Sequence, residues 1–250
     1  MGKQINKSSF ALKWDKDEER YYETGVSRGV LYVYDPTGEG ATPEGGPGAV
    51  GYCPGVVWNG LTQVQETPSG AEANAQYADD IKYLNLYSLE ELGATVEAFT
   101  YPDEFMACDG SAEVGTGVYA GQQTRKKFAL CYTTRIGSEA EEELGYKLHI
   151  LYGCKASPSE RAYATVNDSP EPITFSWELT TSPVPVVVDG KSYKDTALIT
   201  VDSRKTDSTK LDALEQTLFG TPAVTGDNPV EEVPAKLLTP AEIIAAVAEG

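Results

Sequence analysis

Alternation of apolar and polar positions at period two dominates the middle of the chain. Phe128, Leu130, Tyr132 and Ile136 fall on one side of one run, and Tyr146, Leu148, Ile150 and Tyr152 on one side of the next. Further on, Ile173, Phe175, Trp177 and Leu179 face one way while Thr174, Ser176, Glu178 and Thr180 face the other. This pattern predicts strands with one dry and one wet face, because successive side chains of an extended chain point to opposite sides. Thr95 to Tyr101 alternates too, with Phe99 and Tyr101 on the face of Thr95 and Glu97. Strands are also expected from Val26 through Tyr34, over Val56 to Val64 and over Thr196 to Val201. Tyr77 to Tyr87 alternates only loosely.

The period changes in three places. Leu211, Leu214 and Leu218 stand at helical spacing between Asp207 and Phe219, and Gly220 stops the run. Residues 240–249 read as a short Ala/Ile helix, with Thr239 as N-cap and Pro240 at the first helical position. Ser88 to Gly93 reads as one helical turn, with Ser88 and Glu91 at capping-box spacing and Gly93 as its end. Between the strands, the stretch from Asp35 is dense in Gly, Pro and Glu and is long for a turn. Such a loop, in an assembling protein, can order itself against a neighbour. The predicted organisation is an N-terminal arm (1–25), a β domain (26–220) with a long loop at 35–55, and a C-terminal linker with a short helix (221–250). The predicted class is mainly β: an antiparallel β-sandwich or half-barrel with one flanking α-helix, long loops and terminal arms.

Composition sharpens this in a few respects. A chain of 250 residues with 40% apolar content can bury a sizeable core. Fifteen Tyr, fifteen Pro and 24 Gly suit many strands joined by tight turns. The net charge of −18 repels phosphate, so stable nucleic-acid binding is not expected. The same acidity serves solubility, and it also suits a surface that DNA must pass without sticking. None of Cys53, Cys108, Cys131 and Cys154 forms a C-x-x-C pair, and buried thiols are favoured over disulfides. Residues 1–13 hold no apolar signal core, and no apolar run approaches the roughly 18 residues of a membrane span. Synthesis in a cytoplasm is expected.

Catalytic chemistry finds little support. The single histidine, His149, lies mid-strand, where a histidine facing the sheet surface or a neighbour is the ordinary case. Adjacent acids such as Asp79-Asp80 and Glu141-Glu142-Glu143 arise by chance in so acidic a chain, and neighbours on a strand point to opposite faces. The run from Asp15 to Arg20 approaches a calcium loop, but Arg20 stands where glycine is required. Gly115-Thr116-Gly117 with Ala120 has the looser dinucleotide spacing without the strand and helix that give it meaning. Arg125-Lys126-Lys127 reads as a salt-bridged strand end. No catalytic, metal or cofactor residues are assigned, and no enzyme is expected.

Aromatic residues crowd the long loop. Tyr32, Tyr34, Tyr52 and Trp58 suit ordinary sheet packing, and equally the inter-subunit contacts in which Tyr and Trp are enriched. They are the candidate interface residues.

Several long segments resemble the major tail proteins of long-tailed, siphovirus-type bacteriophages of Gram-positive hosts. They are residues 87–105, from Tyr87-Ser88-Leu89-Glu90-Glu91 to Pro102-Asp103-Glu104-Phe105, then Cys108-Asp109-Gly110 and Gly121-Gln122-Gln123. Gly145-Tyr146-Lys147-Leu148-His149, Ala156-Ser157-Pro158-Ser159-Glu160, residues 162–170 and Phe175-Ser176-Trp177-Glu178 continue the likeness, which covers roughly residues 77–220. The loop near residues 35–48 and the tail after Gly220 match less clearly. The resemblance implies the phage tail tube fold: hexameric rings stacked into a hollow tube, each subunit adding sheet to an inner barrel through which DNA travels. It implies loops and arms that bridge subunits and rings, partnership with tape-measure, tail-tip and terminator proteins, and a place in the virion after synthesis in the host cytoplasm. In that setting Glu178 and Glu97 are the candidate lumen-facing acids. Three other readings stay open: a β-sandwich that binds a host-surface glycan, another tail or head structural component, and, least favoured, a carboxylate hydrolase.

Overall fold

A computed structural model of the chain describes residues 20–44, 46, 48–139, 142–165, 168, 171–188, 190–223 and 232–248. The strands are β1 (Tyr21–Val33), β2 (Val56–Trp58), β3 (Leu61–Gly70), β4 (Ala73–Ala78), β5 (Ile81–Tyr87), β6 (Glu90–Ala98), β7 (Ala112–Gly115), β8 (Val118–Ala120), β9 (Phe128–Ser138), β10 (Gly145–Ala156), β11 (Phe175–Thr180), β12 (Val184–Val188), β13 (Lys191–Thr196) and β14 (Leu198–Asp202). The helices are α1 (Met106–Asp109), entered through a 3-10 turn at Asp103–Phe105, then α2 (Ser208–Phe219) and α3 (Pro240–Ala248). Every strand pairing among the described residues is antiparallel.

One strand joins two leaves of sheet. The first half of β10 pairs with β14 from Lys147 to Leu151, and its last residues, Lys155 and Ala156, pair with β11. The register to β9 slips between Leu151 and Cys154. Gly153 sits at that slip with φ +59°, and a Cβ there would lie 2.5 Å from the Ser182 carbonyl oxygen. Only glycine tolerates both the backbone and the approach, so this residue lets β10 bend from one leaf into the other. The first leaf is β2-β1-β9-β10-β14 and the second is β10-β11-β6-β3.

The leaves face each other across one apolar cluster. Leu31, Trp58, Leu130 and Leu151 of the first leaf meet Val96, Trp177 and Leu179 of the second, and Phe105 and Cys108 join them. A second cluster lies on the other side of the first leaf. There Tyr32, Cys131, Leu148, Ile150 and Tyr152 are covered by Leu211, Leu214 and Leu218 of α2 and by Leu237, Leu238 and Ile243. Each such aliphatic side chain contributes about 1.5–3 kcal/mol when fully buried. β9 and β10 are thus dry on both faces, as the central strands of a three-layer arrangement must be.

The expected class is met: mainly β, antiparallel, two leaves and a flanking helix. Several details differ. β1 begins at Tyr21 and pairs with Ser138, so residues 21–25 belong to the sheet rather than to an arm. Residues 1–19 lie outside the described residues. Ser88 to Gly93 is not a helical turn: Glu90 onward is strand β6, with Gly70↔Glu90 and Thr67↔Gly93 as rungs, because a helix there would leave the end of β3 unpaired. β11 starts at Phe175, so Ile173 is off the dry face and exposed. The Val56 to Val64 run breaks at Gly60 into β2 and β3, and the last expected strand is displaced to β14.

The tail and the loop also depart from expectation. Both C-terminal elements pack on the first leaf, so α3 is a second flanking helix and the segment after residue 231 is part of the core. Residues 224–231 lie outside the described residues. α3 starts with a reciprocal cap: the Glu242 carboxylate accepts from the Thr239 backbone N–H (2.8 Å), and the Glu242 N–H donates to the Thr239 hydroxyl (3.3 Å). The long loop is held by bonds within its own chain. Ala49 N–H donates to Leu237 O (2.8 Å), Gly55 N–H to Ala235 O (2.9 Å) and Gly48 N–H to Glu242 Oε1 (2.6 Å).

Candidate assembly surfaces

The second leaf has an outer face that no helix among the described residues covers. Along β11 the burial alternates strictly from Trp177, with Trp177 and Leu179 inside and Glu178 and Thr180 outside. Glu178 pairs across the ladder with Thr95, and Glu97 with Ser176 on one side and Gln63 on the other. Gln65 opposes Thr95 and Thr67 opposes Gly93. Cross-strand partners share a face, so Gln63, Gln65, Thr95, Glu97, Ser176 and Glu178 form one continuous polar surface. The two acids selected from alternation alone therefore lie on the same open face. Tyr101 does not share it, because β6 ends at Ala98 and the chain turns beyond it. Tyr101 turns into the inter-leaf cluster, 5.5 Å from the Trp177 ring.

Of the three hairpins outside the main sheet, β12–β13 packs against α3 and the other two leave the sandwich. Among the described residues, β4 and β5 pair only with each other, from Ala73↔Tyr87 to Ala78↔Ile81. Asp79 and Asp80 make the turn, both with positive φ (51° and 61°), the conformation a two-residue hairpin turn requires. Tyr77, Ile81, Tyr83, Leu84, Leu86 and Tyr87 are all exposed, Tyr83 at 68%. Ile81, Tyr83 and Tyr87 project from one side of β5, and Leu84 and Leu86 from the other. β7 and β8 form the second hairpin, with Val114, Val118 and Tyr119 exposed. The loosely alternating Tyr77 to Tyr87 run was the sequence signal for the first. Asp-Asp is a weaker turn signature than Asn-Gly, which is why it did not read as a hairpin.

The aromatic candidates separate. Tyr32 is completely buried and donates its hydroxyl to Leu218 O (2.5 Å). Burial pushes its phenol well above the usual value. Trp58 is 2% exposed, donates Nε1–H to Thr100 O (2.9 Å) and packs 4.5 Å from the Phe105 ring. Both are committed to the core of their own chain and present no surface to a partner, which corrects their assignment as contacts. Tyr34 and Tyr52 meet edge-on at 5.3 Å and join the ends of the long loop as a β-bridge. Tyr34 is exposed. Tyr52 is largely buried, and that burial pushes its phenol up to about 12.

One cluster resembles catalytic machinery. His149 stacks on Tyr132 (4.9 Å, 6°), with Nε2 3.0 Å from Thr134 Oγ1 and Nδ1 3.6 Å from Glu66 Oε1. Tyr132 donates its hydroxyl to the same Glu66 oxygen (2.7 Å). Burial holds the imidazole below its usual range, against the pull of Glu66 and Glu23. The hydroxyl, imidazole and carboxylate line up because Tyr132 and Thr200 are the ladder partners of His149 and Thr134 is two residues along β9. This polar network joins β3 to the first leaf, and Tyr132 shares the carboxylate that would orient the base. Elsewhere, the cleft lined by Ser27, Arg28, Thr133, Arg135, Glu143 and Tyr146 has both guanidinium groups engaged, by Glu215 and Glu143. The four cysteines are free thiols, and burial pushes those of Cys108 and Cys154 up to about 12, far from reactive. Lys126 of the basic run pairs with Asp35 at 2.5 Å.

No helix of the described residues is long and apolar enough to cross a membrane. No protein-family model and no curated protein sequence matches the chain.

Proposed function

We propose that this chain is a structural subunit that assembles with copies of itself into stacked rings, forming a hollow tail tube of the kind carried by long-tailed bacteriophages. The observation that carries the reading is the β4–β5 hairpin, exposed on both faces and apolar on both. A lone two-stranded hairpin is marginal in water, and so many exposed Tyr, Ile and Leu side chains on one arm mark a contact surface. The uncovered polar face of the second leaf supports the same reading. Glu97 and Glu178 would repel DNA phosphate from a lumen wall, and Gln, Ser and Thr would offer it no counterion release. The resemblance of residues 77–220 to major tail proteins supplies the remaining parts of the proposal: six-fold rings, tape-measure, tail-tip and terminator partners, passage of DNA, and a final place in the virion. No catalytic role is proposed. Trp58 and Trp177 are both buried, and neither is a platform for stacking a sugar.

The test is negative-stain electron microscopy of the full chain over a concentration series. Rings or hollow tubes of uniform width are expected. The double substitution Tyr83→Ser with Leu86→Ser should prevent them while leaving the unfolding midpoint of the chain unchanged. Compact monomers at every concentration overturn the proposal.

A further inference from the structure

The two hairpins leave opposite ends of the second leaf. At one end the last rung between β3 and β6 is Gly70↔Glu90, and β4–β5 lies between those two residues in sequence. At the other end Ala98 pairs with Leu61 and with Phe175. From Ala98 the chain runs through the buried Phe105 and Cys108 to Gly110, whose carbonyl accepts from Gln123 N–H (2.9 Å) and so pins the base of β7–β8. Each end therefore exposes apolar side chains: Tyr77, Tyr83 and Leu86 at the first, Phe99, Val114 and Tyr119 at the second.

The charges of the two ends also differ. The first hairpin ends in Asp79-Asp80, both exposed. The base of the second is followed at once by Arg125-Lys126-Lys127, the densest basic run of a chain with net charge −18. Lys126 is taken by Asp35, but among the described residues neither Arg125 nor Lys127 has a carboxylate partner, and Arg125 Nε is buried without any acceptor. The nearby acids are partly engaged: Asp109 by Arg161 and the Trp177 indole, Glu113 by the Gly117 N–H. Asp103 and Glu104 of the 3-10 turn are the remaining exposed acids of this end.

We infer that the β4–β5 hairpin of one copy docks on the β7–β8 hairpin and the Arg125-Lys126-Lys127 run of a second copy. The occupant is a second copy because one such contact removes both apolar hairpins from water together and brings the Asp79-Asp80 turn to cations that lack partners at home. Surfaces at opposite ends make a heterologous, head-to-tail contact, which repeats without closing unless the rotation between copies returns to the start. β4 alone spans about 20 Å at roughly 3.3 Å per residue, enough to reach well across a neighbour. The inference rests on the self-assembly reading above and adds which surfaces meet.

The experiment is a charge exchange read by sedimentation velocity and electron microscopy. One variant carries Asp79→Asn with Asp80→Lys, asparagine being at home in the positive-φ turn. The other carries Arg125→Glu with Lys127→Glu, which turns the run from net positive to net negative. Alone, each should need about tenfold more protein to assemble than the native chain, because arm and receiving end then carry like charge. Mixed in equal amounts they should assemble at the native concentration, since each arm meets an end of opposite sign on the other variant. Thermal unfolding of both should match the native chain, as neither site touches the two apolar clusters. Variants that assemble like the native chain, or a mixture no better than its components, overturn the docking and leave the self-assembly reading standing. A native chain that never assembles overturns that reading and this contact together.

Discussion

The first leaf and the second leaf share strand β10 yet end in different solvents. On the first leaf the outer face carries Leu148, Ile150, Tyr152 and Val201 and lies under α2, α3 and the segment at residues 235–238. On the second the outer face carries Gln63, Gln65, Thr95, Glu97, Ser176 and Glu178, and no helix among the described residues lies on it. The difference is written in the side chains. Strands dry on both faces read as nearly continuous apolar runs, such as Phe128 to Tyr132, while strands wet on one face alternate, as from Phe175 to Thr180. It also separates two kinds of surface. The covered leaf is closed by its own chain, and the bare leaf with its two hairpins is the surface that the proposed assembly would use.

The largest effect that distinguishes the leaves is expected at Leu214, 1% exposed beneath α2. Leu214→Ala should cost about 2–5 kcal/mol through lost contacts and the cavity left behind, read as a lower midpoint in urea unfolding. A cost near zero would mean that the helices do not close the first leaf. Thr239→Ala tests the same layer more gently. It removes the hydroxyl that caps α3 and should cost about 1 kcal/mol by the same measurement. If α3 were a free appendage rather than part of this layer, the midpoint would stay where it is.

How much was legible depended on whether local signals and long-range pairing agreed. The α2 helix could be read because Leu211, Leu214 and Leu218 repeat at helical spacing and Gly220 stops the run; the structure adds Asp207 as its cap, the carboxylate accepting from Thr209 and Lys210 N–H at 3.0 and 3.2 Å. Alternation placed Glu178 on a wet face directly, and Glu97 less cleanly, since the same pattern put Phe99 and Tyr101 beside it; both acids stand on the polar side. That they share one face needed the register of β6 against β11, which no local pattern contains. Ser88 to Gly93 misled for the same reason: its capping-box spacing is a local signal, overruled by pairing with residues about twenty positions earlier on β3. Tyr32 and Trp58 misled because composition near a loop does not say which residues the loop covers. The C-terminal segment was taken as a linker, since Leu237 and Leu238 are too few to show a period, yet they close the second cluster.

A smaller effect is expected from pH at the seam between the leaves. His149 faces Glu66 of β3, Glu23 of β1, Tyr132 and Thr134 of β9 and Thr200 of β14, and Lys147, its neighbour on β10, pairs with Glu23. Burial depresses the folded-state value of His149, so the unfolded chain takes up the proton first. Stability from this group is therefore complete above the unfolded value of about 6.5 and is lost as pH falls through and below it. Urea midpoints of the native chain should drop between neutral pH and pH of about 5 more steeply than those of His149→Gln. Equal slopes would show that the imidazole is as well solvated in the fold as in the unfolded chain.

The smallest change in stability is expected on the bare leaf, and there the interest lies in what else changes. Glu97→Lys with Glu178→Lys should move the unfolding midpoint by no more than about 0.5 kcal/mol, because both side chains stand on a solvated face. The same pair converts two repulsive charges into two attractive ones on a surface of uncharged Gln, Ser and Thr. Retention of duplex DNA in a gel should then appear at low salt and fade as salt rises, while the native chain shows none, since each neutralised phosphate releases counterions only when a cation is present to replace them. A midpoint that falls as far as that of Leu214→Ala would mean that the face is covered after all. DNA retention by the native chain would mean that its acids do not control what passes over it.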